Sequence, residues 1–390
     1  MAEAFKNLIN TDTVCHAADH LQRVCPAFDR ARFIQTASRD LSSLEFKARA
    51  LRVADGLDAA MPVSFADAAD ALEHALAPPL GFDDKGEPVG LGHRLSEDGL
   101  SGWVLWGAGE FVVRRGMNDL PRALACLHAL TQRFTAEFAL RPFIDRHPEA
   151  VLPVLKQWVG DPSAHVRRLT SEGSRPRLPW GLRLQSFVAD PSPTLPLLLS
   201  LQDDPSSYVR RSVANHLNDI AKDHPDVVAS WVQTHLPGAT PARTALLRHA
   251  SRSLIKQGHG PTLHAWGLGQ PFAGSATVEL GARRATVGDG IDLHVQLCAS
   301  GGHPQELVID YVVHHVRANG STAPKVFKGW KRTLLPGETI ALRKRHSLKE
   351  VTTRQLHAGH HRIALQINGK VVDEASFELL SPHAAKRSSP

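Results

Sequence analysis

Apolar residues over the first two thirds of the chain recur at three- and four-residue spacing, as in Phe46-Ala50-Leu51 and Ala123-Leu127-Leu130. That period lines them along one face of a helix. From Phe5 to about Gln257 the pattern predicts an α-helical domain. Between Ala77 and Gly116 it loosens into Pro, Gly and Asp with Trp103 and Trp106 interspersed, which predicts an ordered insertion folded down by its tryptophans. After Leu268 the texture changes to alternation, as in Ala276-Thr277-Val278-Glu279-Leu280, Ile291-Asp292-Leu293-His294-Val295 and Val308-Ile309-Asp310-Tyr311-Val312-Val313. Such period-two segments predict an all-β sandwich. Ile363 to Ile367, then Asn368-Gly369, then Lys370-Val371-Val372 reads as a hairpin whose turn tolerates positive φ.

Internal repetition organises the helical part. Leu152-Pro153-Val154-Leu155 superimposes on Leu195-Pro196-Leu197-Leu198 at an offset of 43 residues. The same offset lays Asp161-Pro162-Ser163 and Val166-Arg167-Arg168 over Asp204-Pro205-Ser206 and Val209-Arg210-Arg211. A weaker third copy begins at His224-Pro225-Asp226-Val227-Val228 and echoes His147-Pro148-Glu149-Ala150-Val151. A period of about 40–47 residues with two helices per unit is the signature of HEAT-like repeats. Each Asp-Pro-Ser turn reads as the start of a second helix, with Asp as cap and Pro in the tolerant first turn. The expected fold is therefore mainly α: a HEAT-like α-solenoid over residues 1–267, then an immunoglobulin-like β-sandwich over 268–380, then a disordered tail over 381–390. Gly359-His360-His361-Arg362-Ile363 resembles an immunoglobulin-type corner with His where Tyr is common.

Composition narrows the function classes. A chain of 390 residues suits about two to three domains. With 42% hydrophobic and 22% charged residues it is neither wholly disordered nor a collagen-like or coiled-coil rod. No stretch approaches the roughly 18 apolar residues of a membrane span, and Met1 to Val14 carries charges and amides where a signal peptide needs an apolar run. A cytoplasmic protein is expected. The four cysteines, Cys15, Cys25, Cys126 and Cys298, form no CxxC pair, so neither a disulfide framework nor a zinc site is expected. A net charge of +6 and a pI near 9.3 point toward polyanions.

The candidate chemistry sits in the repeats. Arg167-Arg168 and Arg210-Arg211 occupy equivalent helical positions and, with Arg175, Arg177, Arg248 and Arg252, could form a basic stripe that meets phosphates. The competing expectation is that such pairs bond neighbouring Asp turns. Glu137, Glu172, Asp219 and Trp180 also have ordinary roles open to them. These are a helix-start carboxylate, a salt bridge to Arg168 or Arg175, a solvated helix face, and a buried anchor for an irregular loop. His314-His315 and His357-Ala358-Gly359-His360-His361 make poor metal ligands, because neighbouring strand residues point to opposite faces. Lys325, Lys328, Lys331, Arg332, Arg343, Lys344 and Arg345 could touch phosphates from the β domain or form a solvated face.

Three long strings carry a resemblance: Thr135 to Phe143 (TAEFALRPF), His165 to Trp180 (HVRRLTSEGSRPRLPW) and Tyr208 to Ile220 (YVRRSVANHLNDI). They resemble the AlkC family of alkylpurine DNA glycosylases, and the strand-rich tail is similar to the immunoglobulin-like domain of one subgroup. The resemblance implies a HEAT-like solenoid that holds duplex DNA and a C-terminal domain that wraps its other side. It also implies excision of cationic bases, chiefly 3-methyladenine and 3-methylcytosine, without full base flipping. By the family pattern Glu137, Glu172 and Asp219 face the lesion's sugar and Trp180 packs against it. Neither a cofactor nor a lysine nucleophile is called for, and action as a monomer on double-stranded DNA is expected. Two other classes remain open: a non-catalytic DNA-damage or DNA-structure binder on the same scaffold, and a protein-interaction solenoid, which buried Arg pairs and an apolar concave face would favour.

Overall fold

Apolar stripes at helical spacing close a continuous core that runs from Ile9 to Leu197 in the computed structural model, which describes residues 5–91, 96–350 and 355–381. Helices α1 (Thr11–Val24), α2 (Arg30–Ser38), α3 (Phe46–Ala60) and α4 (Phe65–His74) precede the insertion. Then follow α5 (Val104–Gly116), α6 (Leu120–Thr131), α7 (Glu137–Arg146), α8 (Pro148–Trp158) and α9 (Ala164–Gly173). After α10 (Gln185–Ala189) come α11 (Leu195–Leu201), α12 (Ser207–Ile220), α13 (Pro225–His235), α14 (Pro241–Ala250), α15 (Arg252–Gln257) and α16 (Gly260–Ala265). Among the described residues no helix is long and apolar enough to cross a membrane.

The insertion is shorter than its composition suggested. Trp106 lies on α5 and Trp103 at its N-cap, so helix resumes at Val104 rather than after Gly116. Trp106 stacks on Phe138 at 4.8 Å, and Trp103 meets Phe134 edge-on at 4.6 Å. The preceding segment docks on the start of α12: the Ser207 hydroxyl donates to the Lys85 carbonyl at 2.7 Å, and the Ser206 hydroxyl to that of Gly86 at 3.3 Å.

The 43-residue repeat is exact in structure at its turns. Asp161 and Asp204 each accept the backbone N–H two residues on, from Ser163 at 2.7 Å and Ser206 at 2.8 Å. These are Asx turns that lead into the helices; the N-cap residues are Ser163 and Ser206, which corrects the expectation that the aspartates cap. Arg167 Nη1 donates to the carbonyls of Asp161 and Pro162, and Arg210 Nη1 to those of Asp204 and Pro205. The first Arg of each pair therefore closes its own turn. Arg167 also grips the next turn through Asp204, at 2.6 and 3.0 Å.

The chain divides into two compact units. One holds the chain through Asp223 together with Thr240–Ala250; the other holds His224–Ala239 and the chain from Ser251 onward. The helix-to-strand switch does fall near Leu268, yet α13, α15 and α16 group with the strands. Ile255, Leu263 and Leu268 share a small core with Val308, which explains the difference. It also explains why the strand around Val308 is buried on both faces instead of alternating.

The strands are β1 (Gly274–Leu280), β2 (Arg284–Thr286), β3 (Gly290–Ala299), β4 (Gln305–Val316), β5 (Thr322–Leu334), β6 (Thr339–Ser347), β7 (Gly359–Ile367) and β8 (Lys370–Leu380). They form two sheets, ordered β1-β3-β6 and β2-β8-β7-β4-β5. The β7–β8 hairpin turns at Asn368 and Gly369, both at positive φ (45° and 77°), as a type I′ turn requires. His361 is fully buried and a ring nitrogen lies 2.9 Å from the His357 carbonyl, the corner contact in which Tyr is common. His315 is buried while His314 faces Arg362 at the surface. Residues 382–390 of the expected tail lie outside the described residues.

Candidate functional site

Three helix ends bring the acids together. Glu137 opens α7, Glu172 sits in the last turn of α9, and Asp219 in the last turn of α12, which packs beside α9. All three are buried, Asp219 at only 2% exposure, so the solvated face expected for Asp219 is not what the fold makes.

Buried carboxylates need partners, and basic side chains alternate with these. Arg168 donates to Glu137 at 2.9 and 3.3 Å and to the Thr135 hydroxyl at 2.7 Å, and comes within 3.6 Å of Glu172. Arg175 donates to Glu172 Oε1 at 2.6 Å and to Asp219 Oδ2 at 2.8 Å. Lys222 Nζ donates to Asp219 Oδ1 at 2.7 Å. The second oxygen of Glu172 accepts from the buried Ser212 hydroxyl at 2.6 Å. The result is a chain, Glu137, Arg168, Glu172, Arg175, Asp219, Lys222, in which each charge faces its opposite.

Burial alone would raise the Glu172 carboxyl. The charges of Arg168 and Arg175, with hydrogen bonds from Ser212 and Arg175, more than reverse that and hold it below the ordinary carboxylate range. Arg175 loses hydration by burial but is pushed up overall by Glu172 and Asp219. Nearby, burial and then the Arg175 charge push His216 down to about 3. At neutral pH it is the neutral imidazole; Nδ1–H donates to the Ser171 carbonyl at 2.9 Å, and Nε2 has no hydrogen-bond partner among the described residues. Arg168 also lies over the Tyr208 ring at 5.3 Å.

The segment leaving α9 carries Trp180. Leu178, Pro179, Trp180 and Gly181 form a turn closed by Gly181 N–H to the Leu178 carbonyl at 3.3 Å, with Trp180 at φ +64°. Pro followed by positive φ marks a type II turn, whose third position normally takes Gly or Asn. A tryptophan there costs about 1 kcal/mol. Trp180 is 65% exposed, which overturns the buried-anchor expectation. The same loop is held by Arg141, fully buried, which donates to the carbonyls of Gly173 at 2.9 Å, Pro176 at 3.5 Å and Leu182.

The other predicted arginines are spread more widely. Arg167 belongs to the repeat turns, and Arg177 pairs with Asp223 at 2.6 Å through two bonds. Arg211, half exposed, forks onto Glu87 of the insertion at 2.5 and 2.6 Å. Arg210 bonds its own turn, Arg248 lies on α14, and Arg252 opens α15 in the second unit. In the β domain, Lys325, Lys328, Lys331 and Arg332 lie on β5 and Arg343, Lys344 and Arg345 on β6; each strand ends its sheet. Lys344 reaches the Lys328 carbonyl at 2.7 Å, and Arg345 pairs with Asp292 at 2.8 Å. Among the described residues no group of three or more His, Cys, Asp or Glu could hold a metal.

Sequence reasoning missed Ser212, Arg141, Lys222, His216 and Glu87. Only Ser212 left a readable signal: the 43-residue offset places it on Leu169, a core position in the other repeat, so a polar residue stands where packing wants an apolar one.

Comparison with known proteins places the chain among relatives of the same fold. Residues 134–254 match the family model described as DNA alkylation repair enzyme, and residues 275–381 match that of the C-terminal Ig-like domain of the uncharacterised protein YhaZ. The chain is 31% identical to the uncharacterized protein YhaZ of Bacillus subtilis (strain 168) over 384 residues, covering 96% of this chain and 99% of that one. It is 35% identical to the alkylpurine DNA glycosylase AlkC of Pseudomonas fluorescens, whose structure is bound to DNA containing an abasic site analog. That match has a TM-score of 0.86 and covers 97% of this chain and 100% of the other. The repeats, the buried acid cluster and these two full-length likenesses together show that the chain belongs to the AlkC family of alkylpurine DNA glycosylases.

Proposed function

We propose that this protein is a monofunctional DNA glycosylase that hydrolyses the N-glycosidic bond of cationic alkylated bases, chiefly 3-methyladenine and 3-methylcytosine, in duplex DNA. The observation that carries the reading is the buried, salt-bridged cluster of Glu137, Glu172 and Asp219. Carboxylates beside a phosphate backbone weaken simple binding, so a binder has no use for three of them. A base alkylated on a ring nitrogen is already positively charged and leaves neutral, which makes a general acid dispensable. The remaining barrier is the oxocarbenium-like sugar, and a carboxylate stabilises the charge that develops there only in the transition state.

Glu172 takes that role, because its two oxygens are held by Arg175 and Ser212 and it stays ionised well below neutral pH. A prealigned anion needs no reorganisation as the bond breaks. Glu137 and Asp219 position or deprotonate the attacking water and orient the sugar. Trp180, exposed on the loop that leaves α9, packs on the deoxyribose and excludes bulk water. A surface-presented aromatic suits a sugar addressed at the edge of the duplex, without full flipping of the base. Among the cations, Arg211, Arg177 and Arg248 supply phosphate contacts, whereas Arg168 and Arg175 serve the acids and Arg167 and Arg210 the repeat turns.

Incubation with a duplex carrying one 3-methyladenine tests this. Abasic sites should accumulate and the strand should break only on later treatment with alkali. Binding without abasic sites contradicts the reading. Direct strand cleavage with borohydride trapping at Lys222 contradicts its monofunctional part.

A further inference from the structure

We infer that Arg141 is the positioning residue for Trp180: its buried guanidinium clamps the turn that presents the exposed indole. The inference rests on the role proposed above for Trp180. Arg141 is fully buried on α7, with no carboxylate within hydrogen-bond reach among the contacts it makes; its donors all go to backbone carbonyls, those of Gly173, Pro176 and Leu182. Those carbonyls bracket the loop that begins at the end of α9 and carries Trp180. A guanidinium with its five donors in a rigid plane holds several carbonyls in fixed relation, which a flexible ammonium cannot do.

Burial, then the neighbouring Arg175 charge, pulls Arg141 down to about 10, so it is still a cation at neutral pH. The loop needs that clamp because the turn is strained at its functional residue. Trp180 sits at φ +64°, where glycine would be relaxed, and strain of this kind persists only where surroundings over-determine it. Two backbone bonds complete the frame, Gly181 N–H to Leu178 at 3.3 Å and Leu184 N–H to Pro176 at 3.2 Å. Gly181 is packed against the clamp itself. A Cβ there would stand 3.2 Å from Arg141 Cδ and Nε and 3.0 Å from Leu178 Cδ2.

The test compares Arg141→Met, Arg141→Lys, Gly181→Ala and Trp180→Gly in the full chain. Single-turnover excision of 3-methyladenine, affinity for undamaged duplex, and amide exchange at Gly181 and Leu184 are read in each. Misplacing a reacting contact by about 1 Å is worth about 100-fold in rate. Arg141→Met should lose on the order of that factor with duplex affinity within about twofold, and Arg141→Lys should recover part of it. Gly181→Ala keeps the guanidinium but crowds it against the turn and should slow excision about tenfold, so it carries the test if Arg141→Met does not fold. Both variants should speed exchange at Gly181 and Leu184. In a Trp180→Gly background, Arg141→Met should cause no further loss. Full activity of Arg141→Met or Gly181→Ala beside an inactive Trp180→Gly would overturn the positioning role, as would losses that simply add. A fully active Trp180→Gly would instead overturn the role of Trp180, and the exchange rates would still show whether Arg141 holds the turn.

Discussion

Replacing Ser212 by Ala removes one hydroxyl that sits 2.6 Å from Glu172 Oε2, buried, with no other donor on that oxygen among the described contacts. A hydrogen bond to a charged group is worth about 1.5–3 kcal/mol. At about 1.4 kcal/mol per pH unit, its loss should move the acid limb of the excision rate upward by about one to two pH units. The sign follows from the direction of the shift. Glu172 is depressed in the folded protein, so its anion is secure above the ordinary carboxylate range and is lost as pH falls through the depressed value. Without Ser212 that loss comes at higher pH. Near pH 7.5 the carboxylate stays ionised, and Ser212→Ala should excise only a few-fold more slowly; the deficit should widen steadily as pH falls toward 4.5. The assay is single-turnover base release from a defined duplex across pH 4.5–8, with spontaneous release subtracted. An acid limb that does not move would refute the claim that ionised Glu172 controls the chemical step.

Other variants are read through stability and binding. His216 is buried and neutral, so the unfolded chain takes up a proton below about pH 6.5 that the folded chain refuses until about pH 3; folding stability is lost as pH falls through that window. Denaturant titrations at several pH values should show His216→Gln flattening the slope by up to about 1.4 kcal/mol per pH unit, and an unchanged slope would contradict the burial argument. Arg167→Ala should cost about 3–5 kcal/mol of unfolding free energy in denaturant titrations, because it leaves the buried Asp204 carboxylate without its counter-charge. Arg211→Ala should leave stability nearly unchanged while weakening duplex binding and lowering the salt slope by about one. The reverse pattern would exchange the structural and phosphate-binding roles of the two.

Particular residues show how far the sequence could be read. The repeat offset located α8 against α11 and α9 against α12, because HEAT-like pairs repeat the same core and turn positions. Asn368-Gly369 located the last hairpin through the φ values its turn demands. The boundary between compact units was less legible, since α16 looks like one more solenoid helix until Leu263 meets Val308 across more than forty residues of chain. At the site, the long family-like strings pointed to all three carboxylates and Trp180. The pairing of Glu172 with Arg168 and Arg175 was also expected, whereas Ser212 on Glu172 and Arg141 under the α9 loop join segments far apart in sequence. For Trp180 the buried-anchor alternative fails for a physical reason. Large aromatics are usually covered, and an exposed one on a strained turn breaks the rule that local preference and fold agree.

The central claim is that ionised Glu172 drives bond cleavage in alkylated DNA. Its most direct test is release of free methylated bases from alkylated genomic DNA by the intact protein and by Glu172→Gln at the same salt concentration. The account predicts 3-methyladenine from the intact protein, a loss of about 100- to 1,000-fold in the variant, and duplex affinity equal to or tighter than before. Equal release by both proteins would remove Glu172 from the mechanism. Duplex binding by both with release by neither would leave a DNA binder built on the glycosylase scaffold.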